Sequence, residues 1–257
     1  MKKTFTIDSL PESARGYRSG WAVVAIDVIR ATTMAVTAVS LGRRCYPVDT
    51  LDAALRLSRK LHDPLLAGEI AGEKPAEFEL NNSPAELSKR SDARRPLIML
   101  SSSGTRLMVN ARGCDALYLG CFRNCSALAD HLSDGKHPKV ALIGAGSRGE
   151  FREEDQIGCG WIGTHLMKAG YLPENKETAE VVDRWGKARA TDCLISRSVA
   201  YLRRTGQLAD LEFILARIDD LDHVCICNNE VTALPIRESK LGSVAPLLVT
   251  DLSASRA

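Results

Sequence analysis

Short unbroken apolar runs, alternating with segments of helical spacing, constrain this chain of 257 residues more than any other feature. The run Trp21-Ala-Val-Val-Ala-Ile-Asp27 is apolar at every step before its terminal acid. That pattern fits a strand covered on both faces, not the half-exposed strand that strict alternation would give. Arg44–Val48, Leu65–Ala67, Pro96–Ser101, Ala116–Leu119, Lys139–Gly144 and His223–Cys227 repeat the theme. Between them, apolar spacing predicts helices over Thr33–Leu41, Leu51–Leu61, Pro84–Ser88, Thr105–Ala111, Asn124–Leu132, Asp155–Ala169 and Asp192–Arg204. Asn81-Asn-Ser-Pro84 supplies a cap residue followed by proline at the first helical position. Strands alternating with helices predict an α/β fold, with a mainly parallel sheet and helices on both faces. No repeat, low-complexity tract or proline-rich linker divides the chain, so one domain over 1–257 is expected. The charged, mostly helical stretch 171–222 is a candidate subdomain or lid.

Composition narrows the function classes. A chain 45% hydrophobic and 26% charged is globular rather than disordered. A net charge of +2 with only 5% aromatic residues gives little to a nucleic-acid groove, so no such partner is expected. No stretch approaches the roughly 20 apolar residues of a membrane helix, and Met-Lys-Lys-Thr-Phe-Thr-Ile-Asp turns polar where a signal peptide would begin its apolar core. A cytoplasmic protein with no membrane partner is therefore expected. The 8 cysteines include no Cys-x-x-Cys pair. Reduced thiols in apolar surroundings are expected, not disulfides or a zinc site.

The polar residues fall where function is expected. In open α/β sheets ligands bind beyond the carboxyl ends of the strands. Here those ends carry Asp27-x-x-Arg30, Gly68-Glu69, Ser101-Ser-Ser-Gly-Thr-Arg106 and Gly144-Ala-Gly146, and their convergence on one rim is expected to make one site. Asp27 offers a hard oxygen for Mg²⁺ and Arg30 a forked donor for phosphate; alternatively Asp27 or Thr32 caps the next helix while Arg30 pairs with Asp27. A haloacid-dehalogenase phosphatase is excluded, because Ile29 occupies the position of its second aspartate. Glu69 is suited to complete a metal site or orient water, Lys74 to meet a phosphate or sulfonate, and Asn82 and Ser83 to donate from the following cap; a solvated loop would have similar composition. Ser102, Ser103, Gly104, Thr105 and Arg106 suit an oxyanion at a helix start, though Gly-x-x-x-x-Gly-Lys-Ser/Thr is absent. Gly144–Gly149 matches Gly-x-Gly-x-x-Gly, but the acids Glu150–Asp155 follow where pyrophosphate would sit. Glu154 or Asp155 is placed either to hold Mg²⁺ or to form the acidic first turn of a helix. The five histidines lie outside these motifs.

With those residues in view, the chain resembles the 2-phosphosulfolactate phosphatases, a magnesium-dependent family of the coenzyme M biosynthesis type. Similar blocks occur in family order: Val24-Ala-Ile-Asp27-Val-Ile-Arg30-Ala-Thr32-Thr33, Gly68-Glu69 through Asn82-Ser83-Pro84, Ser-Ser-Gly104-Thr105-Arg106, Gly120-Cys-Phe-Arg-Asn124, and Gly144-Ala-Gly146 through Glu154-Asp155 to Gly160. Ile70 stands where the family usually has arginine, Ser103 where it tends to have asparagine, and the glycines it has near Glu77 and Asn81 are missing. The resemblance implies a three-layer α/β/α sandwich around a largely parallel or mixed sheet. It also implies Mg²⁺ and hydrolysis of 2-phosphosulfolactate to sulfolactate and phosphate. The expected site has Asp27, Arg30 and Glu69 as catalytic residues. Its metal ligands are Asp27, Glu69 and Asp155, with Glu154 as a substitute. The substrate is expected at Asn82, Ser83, Ser102, Ser103, Gly104, Thr105 and Arg106, with Lys74 and Asn124 facing its carboxylate and sulfonate. The expected partners are this small phosphorylated molecule and, in a homo-oligomer, further copies of the chain. Two rival classes are a nucleotide-dependent oxidoreductase using Gly144–Gly149 and a catalytically inactive small-anion-binding protein.

Overall fold

The computed structural model describes residues 2–234, so the single domain expected over 1–257 extends past the described residues at 235–257. Among the described residues, ten strands form one mixed, mostly parallel sheet. They are β1 (Thr4–Ser9), β2 (Ala22–Ile26), β3 (Cys45–Val48), β4 (Leu65–Gly68), β5 (Leu97–Leu100), β6 (Ala116–Gly120), β7 (Lys139–Gly144), β8 (Leu172–Pro173), β9 (Cys225–Asn228) and β10 (Glu230–Ala233), in the spatial order β4-β5-β3-β10-β9-β6-β2-β7-β1-β8. The helices are α1 (Ala31–Ser40), α2 (Leu51–Ser58), α3 (Pro84–Ser88), α4 (Gly104–Asn110), α5 (Cys125–Ser133), α6 (Glu153–Lys168), α7 (Lys176–Trp185), α8 (Arg197–Arg204) and α9 (Leu208–Leu215).

The sheet is not a single open parallel sheet. β4, β5 and β3 pair in parallel, as do β6, β2, β7, β1 and β8. The hairpin β9–β10 joins the two halves through antiparallel pairs on both sides. Counting the reversals, the halves run in opposite directions along the ladder, yet the expected convergence of the ends of β2, β4, β5 and β7 on one site is retained. The sheet curls. Val23 and Ala25 of β2 share one core with Leu65 and Ala67 of β4, six places away in the strand order, around Met34 and Ala35 of α1 and Leu107 and Met108 of α4. Accumulated strand twist drives such curling in wide sheets. The opposite face alternates strictly: Ala22, Val24 and Ile26 pack under α5 and α6, while Ile98 and Leu100 of β5 pack near α2. The result is a three-layer α/β/α sandwich wrapped around α1 and α4.

β1, β8 and β10 were not expected from sequence. β1 hides in Thr-Phe-Thr-Ile-Asp-Ser, whose alternation sends Phe5 and Ile7 into the core. The stretch 171–222 is not a detached subdomain, since Trp185, Cys193, Leu202, Phe213 and Ile214 are buried in the same core as β1 and β2. The helix expected over Asp192–Arg204 is broken at Ser196, which is extended (φ −69°, ψ 155°) and caps α8 through Val199 N–H. All eight cysteines are free, and six of them are buried. Among the described residues no helix is long and apolar enough to cross a membrane.

Candidate active site

A cleft of about 650 Å³ opens where the loops after β2, β4, β5 and β7 meet α8. Its inner wall is set by the turn after β2. Thr32 locks that turn: its hydroxyl proton is shared between the carbonyls of Asp27 and Gly120 (2.7 Å each), and its oxygen accepts from Asp27 N–H at 2.9 Å. The Asp27 side chain is buried, at 7% exposure. Its Oδ1 accepts the Ala31 N–H at 3.1 Å, so it does cap α1 as the simpler reading allows. Its Oδ2 stands over Gly104, where a Cβ would lie only 2.2 Å away. Burial pushes the Asp27 pKa up to about 7; the Ala31 N–H opposes this, the charges of Glu69 and Glu154 add to it, and Arg30 offsets a little.

Arg30 lines the cleft but does not pair with Asp27. Its Nη1 donates to Asp210 Oδ2 at 2.5 Å and Gln207 Oε1 at 2.6 Å, both from the α9 region. Glu69 reaches the cleft because Gly68 takes φ +142°, and a Cβ there would collide with the Leu100 carbonyl at 1.9 Å. Its carboxylate is then fixed by Ser102 N–H (2.7 Å), Ser102 Oγ (2.9 Å) and Gly72 N–H (2.7 Å). Asn82 also lines the cleft, and its buried Oδ1 has no hydrogen-bond partner among the described residues. Ser102, Ser103 and Arg106 complete this side; Arg106 pairs with Glu12 at 2.7 Å.

Several expected substrate contacts lie elsewhere. The Lys74 ammonium donates to the Phe78 carbonyl and does not line the cleft. Ser83 accepts from Glu86 N–H and donates to Asp210 at 2.6 Å, which makes it the α3 cap. Thr105 is fully buried and exchanges hydrogen bonds with Ser101 across the first turn of α4. Gly104 serves by its missing side chain and is not itself part of the lining. Asn124 is fully buried and braces the β6–α5 turn, accepting from Cys121 N–H and donating to the Leu119 carbonyl at 3.0 Å each.

Asp155 faces the cleft, yet both its oxygens are engaged: Oδ1 by Val28 N–H at 2.9 Å and Oδ2 by Gly146 N–H at 3.1 Å. It thereby ties the loop after β7 to the turn after β2. The Gly146 N–H that a dinucleotide fingerprint would offer to pyrophosphate is spent in this way. Burial and the Asp27 and Glu154 charges hold the Asp155 pKa well above the usual carboxylate range. Among the described residues, Glu154, at 1% exposure, has no hydrogen-bond partner for either oxygen. Burial raises its pKa, and the nearby Ser198 and Ser196 hydroxyls temper that without forming hydrogen bonds of good geometry. Among the described residues, no three acidic, histidine or cysteine side chains converge closely enough to hold a metal ion alone. The expected cage of Asp27, Glu69 and Asp155 is thus not formed by the protein on its own. A hard divalent cation still fits the donor set: Asp27 and Glu69 present carboxylates to one cleft, and burial, with the neighbouring Glu69 and Glu154 charges adding to it, raises the Asp27 pKa, a strain a cation would relieve. Mg²⁺ is commonly held by one or two carboxylates with water and substrate oxygens, not by an all-protein cage.

The sequence reading missed the wall built by α8. Arg197, Tyr201 and Arg204, spaced four and three apart, share one helix face and line the cleft with Arg148 and Arg152. The spacing was visible in the sequence; that this face would turn to the cleft was not. Tyr201 Oη donates to the Gly72 carbonyl at 2.6 Å, and Arg197 pairs with Glu150.

A family model described as 2-phosphosulpholactate phosphatase matches residues 8–230. Among curated proteins, one from Carboxydothermus hydrogenoformans is 31% identical over 223 residues, covering 86% of this chain and 92% of that protein. One from Caldicellulosiruptor saccharolyticus is 29% identical over 223 residues, covering 83% and 91%. A third, from Pseudothermotoga lettingae, is 36% identical over 142 residues, covering 54% and 59%. Each carries the name "Probable 2-phosphosulfolactate phosphatase". The match runs from the end of β1 to the start of β10 and takes in every loop that lines the cleft, and on that basis the chain belongs to the 2-phosphosulfolactate phosphatase family.

Proposed function

We propose that this protein is a phosphoric monoester hydrolase that converts 2-phosphosulfolactate to sulfolactate and phosphate, with Mg²⁺ held by Asp27 and Glu69. The observation that carries the reading is the buried Asp27 carboxylate, raised to a pKa of about 7 and left with Oδ2 facing the backbone of Gly104. Bound Mg²⁺ would neutralise phosphoryl oxygens and polarise the ester for attack.

This chain's own residues supply the rest. Arg30 presents a fixed guanidinium to the phosphoryl oxygens, where charge must be stabilised as the P–O bond breaks. The Ser103 hydroxyl and the Asn82 amide line the same wall and suit oxygens of the bound ester. Glu69, held by three donors, keeps one geometry through the reaction. Asp155 fixes the loops, and the ligand role expected for it passes to substrate oxygens and water. Arg148, Arg197 and Arg204 on the outer wall suit the carboxylate and sulfonate in place of Lys74 and Asn124. Water adds to phosphorus, and the ester oxygen leaves with a proton. Trapping a phosphoenzyme on Asp27 would make its carboxylate the attacking group; its absence, with inversion at a chiral phosphate, would make water the nucleophile.

The test is phosphate release from 2-phosphosulfolactate and related phosphorylated hydroxy acids, with Mg²⁺ and with EDTA. Metal-dependent release, fastest with the sulfonated substrate, is expected. Rates that do not respond to EDTA would contradict the metal assignment, and no release from any phosphate ester would contradict the enzyme.

A further inference from the structure

Helix α9 reads Leu-Ala-Asp-Leu-Glu-Phe-Ile-Leu, and its one buried acid, Asp210, is 2% exposed among core residues Leu211, Phe213 and Ile214. Burying a charge there is costly, and a buried ion pair is seldom a net source of stability. Asp210 is nonetheless fully engaged. Oδ2 accepts from Arg30 Nη1 at 2.5 Å, while Oδ1 accepts from Ser83 Oγ at 2.6 Å and Ala85 N–H at 3.0 Å. One carboxylate therefore fixes both the Arg30 guanidinium and the loop that carries Asn82 into the cleft. Gln207, a turn before it, shares Arg30 Nη1 and is reached by Asn81 Nδ2 at 3.3 Å. No hydrogen bond among the described residues engages Nε or Nη2 of Arg30. Because the guanidinium is a rigid planar fork, anchoring Nη1 sets the direction of the remaining edge.

From this geometry we infer that Asp210 is a positioning residue: it aims the free edge of Arg30 at the bound phosphoryl group and sets the Asn82 loop beside it. The inference rests on the proposed anion-holding role of Arg30, 180 residues away in sequence. It also gives the helical stretch after residue 190 a part in the site that the motif-bearing loops lack. Asp210 touches no substrate itself.

The test is a double-mutant cycle on the full chain, read by inorganic phosphate binding in calorimetry and by kcat/KM on 2-phosphosulfolactate. Asp210→Asn, which can retain the Ser83 and Ala85 contacts, is expected to lower kcat/KM about tenfold or more and weaken phosphate binding about fivefold or more. In an Arg30→Ala background the same change should alter neither by more than about twofold, because a group acting through Arg30 has nothing left to aim. Gln207→Met, at a less buried position, should act in the same direction more weakly, and it serves if Asp210→Asn does not fold. Losses that multiply with Arg30→Ala, unchanged or tighter phosphate binding by folded Asp210→Asn, or a wild type that binds no phosphate would each overturn the inference. A wild type that ignores 2-phosphosulfolactate but shows the coupled phosphate binding would sink the proposed substrate and leave the role of Asp210 supported.

Discussion

Asp27, in the turn after β2, and Asp155, in the first turn of α6, are the same residue type, both buried and both facing one cleft, yet they are wired differently. Asp155 gives each oxygen to a backbone N–H and joins the turn after β2 to the loop after β7, beside the Ala145 N–H to Ile26 carbonyl bond at 2.7 Å. Asp27 gives one oxygen to the start of α1 and leaves the other above a glycine. Burial and repulsion raise both pKa values, so acidity alone does not separate them. Hydrogen-bond saturation does. Between these two buried aspartates, Asp155 is the strut, with both oxygens on backbone N–H groups, and Asp27 keeps Oδ2 for chemistry. The comparison makes distinct predictions for variants on the two sides.

The largest expected effect away from Asp27 itself comes from Gly104→Ala. A methyl 2.2 Å from Asp27 Oδ2 and 2.4 Å from Ala31 Cβ has to displace one of them. Turnover should drop by about 100-fold, with a stability loss of about 1–3 kcal/mol from overpacking, measurable by steady-state assay and denaturant titration. Asp155→Ala should cost about 2–4 kcal/mol of unfolding free energy by stranding two buried N–H groups, and activity should fall with the fold. If Asp155→Ala instead keeps its stability and loses only Mg²⁺ affinity, the strut assignment fails.

The pH dependence follows from the raised Asp27 pKa. The unfolded chain ionises this group near pH 4, whereas the fold retains its proton until about pH 7. Between those values the folded state holds more protons, so metal-free stability should fall as pH rises from about 4 to 7. Asp27→Asn should flatten part of that slope, which thermal melts in EDTA across the range would reveal; an unchanged slope would assign the effect to Asp155 and Glu154. Smallest of all, Lys74→Met should change kcat/KM by less than about threefold, because its ammonium is turned to Phe78 O. Asn124→Ala should lower stability by about 1–3 kcal/mol and leave the kinetics of the surviving fold near wild type.

The sequence made the local parts of this molecule legible. The unbroken run to Ile26, the Ser83-Pro84 cap and the acidic start of α6 all appear near their expected positions, because they depend on burial and capping within a few residues. Asp27, Arg30, Glu69, Asn82, Ser102, Ser103, Arg106 and Asp155 do line one cleft. What could not be read is long-range. Nothing near Arg30 names Asp210 as its partner, and nothing in the β9–β10 segment announces a hairpin that reverses half the sheet. Lys74 and Asn124 misled for a simpler reason: a polar side chain in a motif can satisfy its own backbone as readily as a ligand.

The account rests on Asp27, and the most direct measurement is phosphate release from 2-phosphosulfolactate by Asp27→Asn beside wild type in saturating Mg²⁺, with melting curves on both. The structure predicts a loss on the order of 1,000-fold or more in turnover with no loss of thermal stability in EDTA, since a neutral amide relieves buried repulsion. A folded Asp27→Asn variant that hydrolyses the ester within about tenfold of wild type would contradict it.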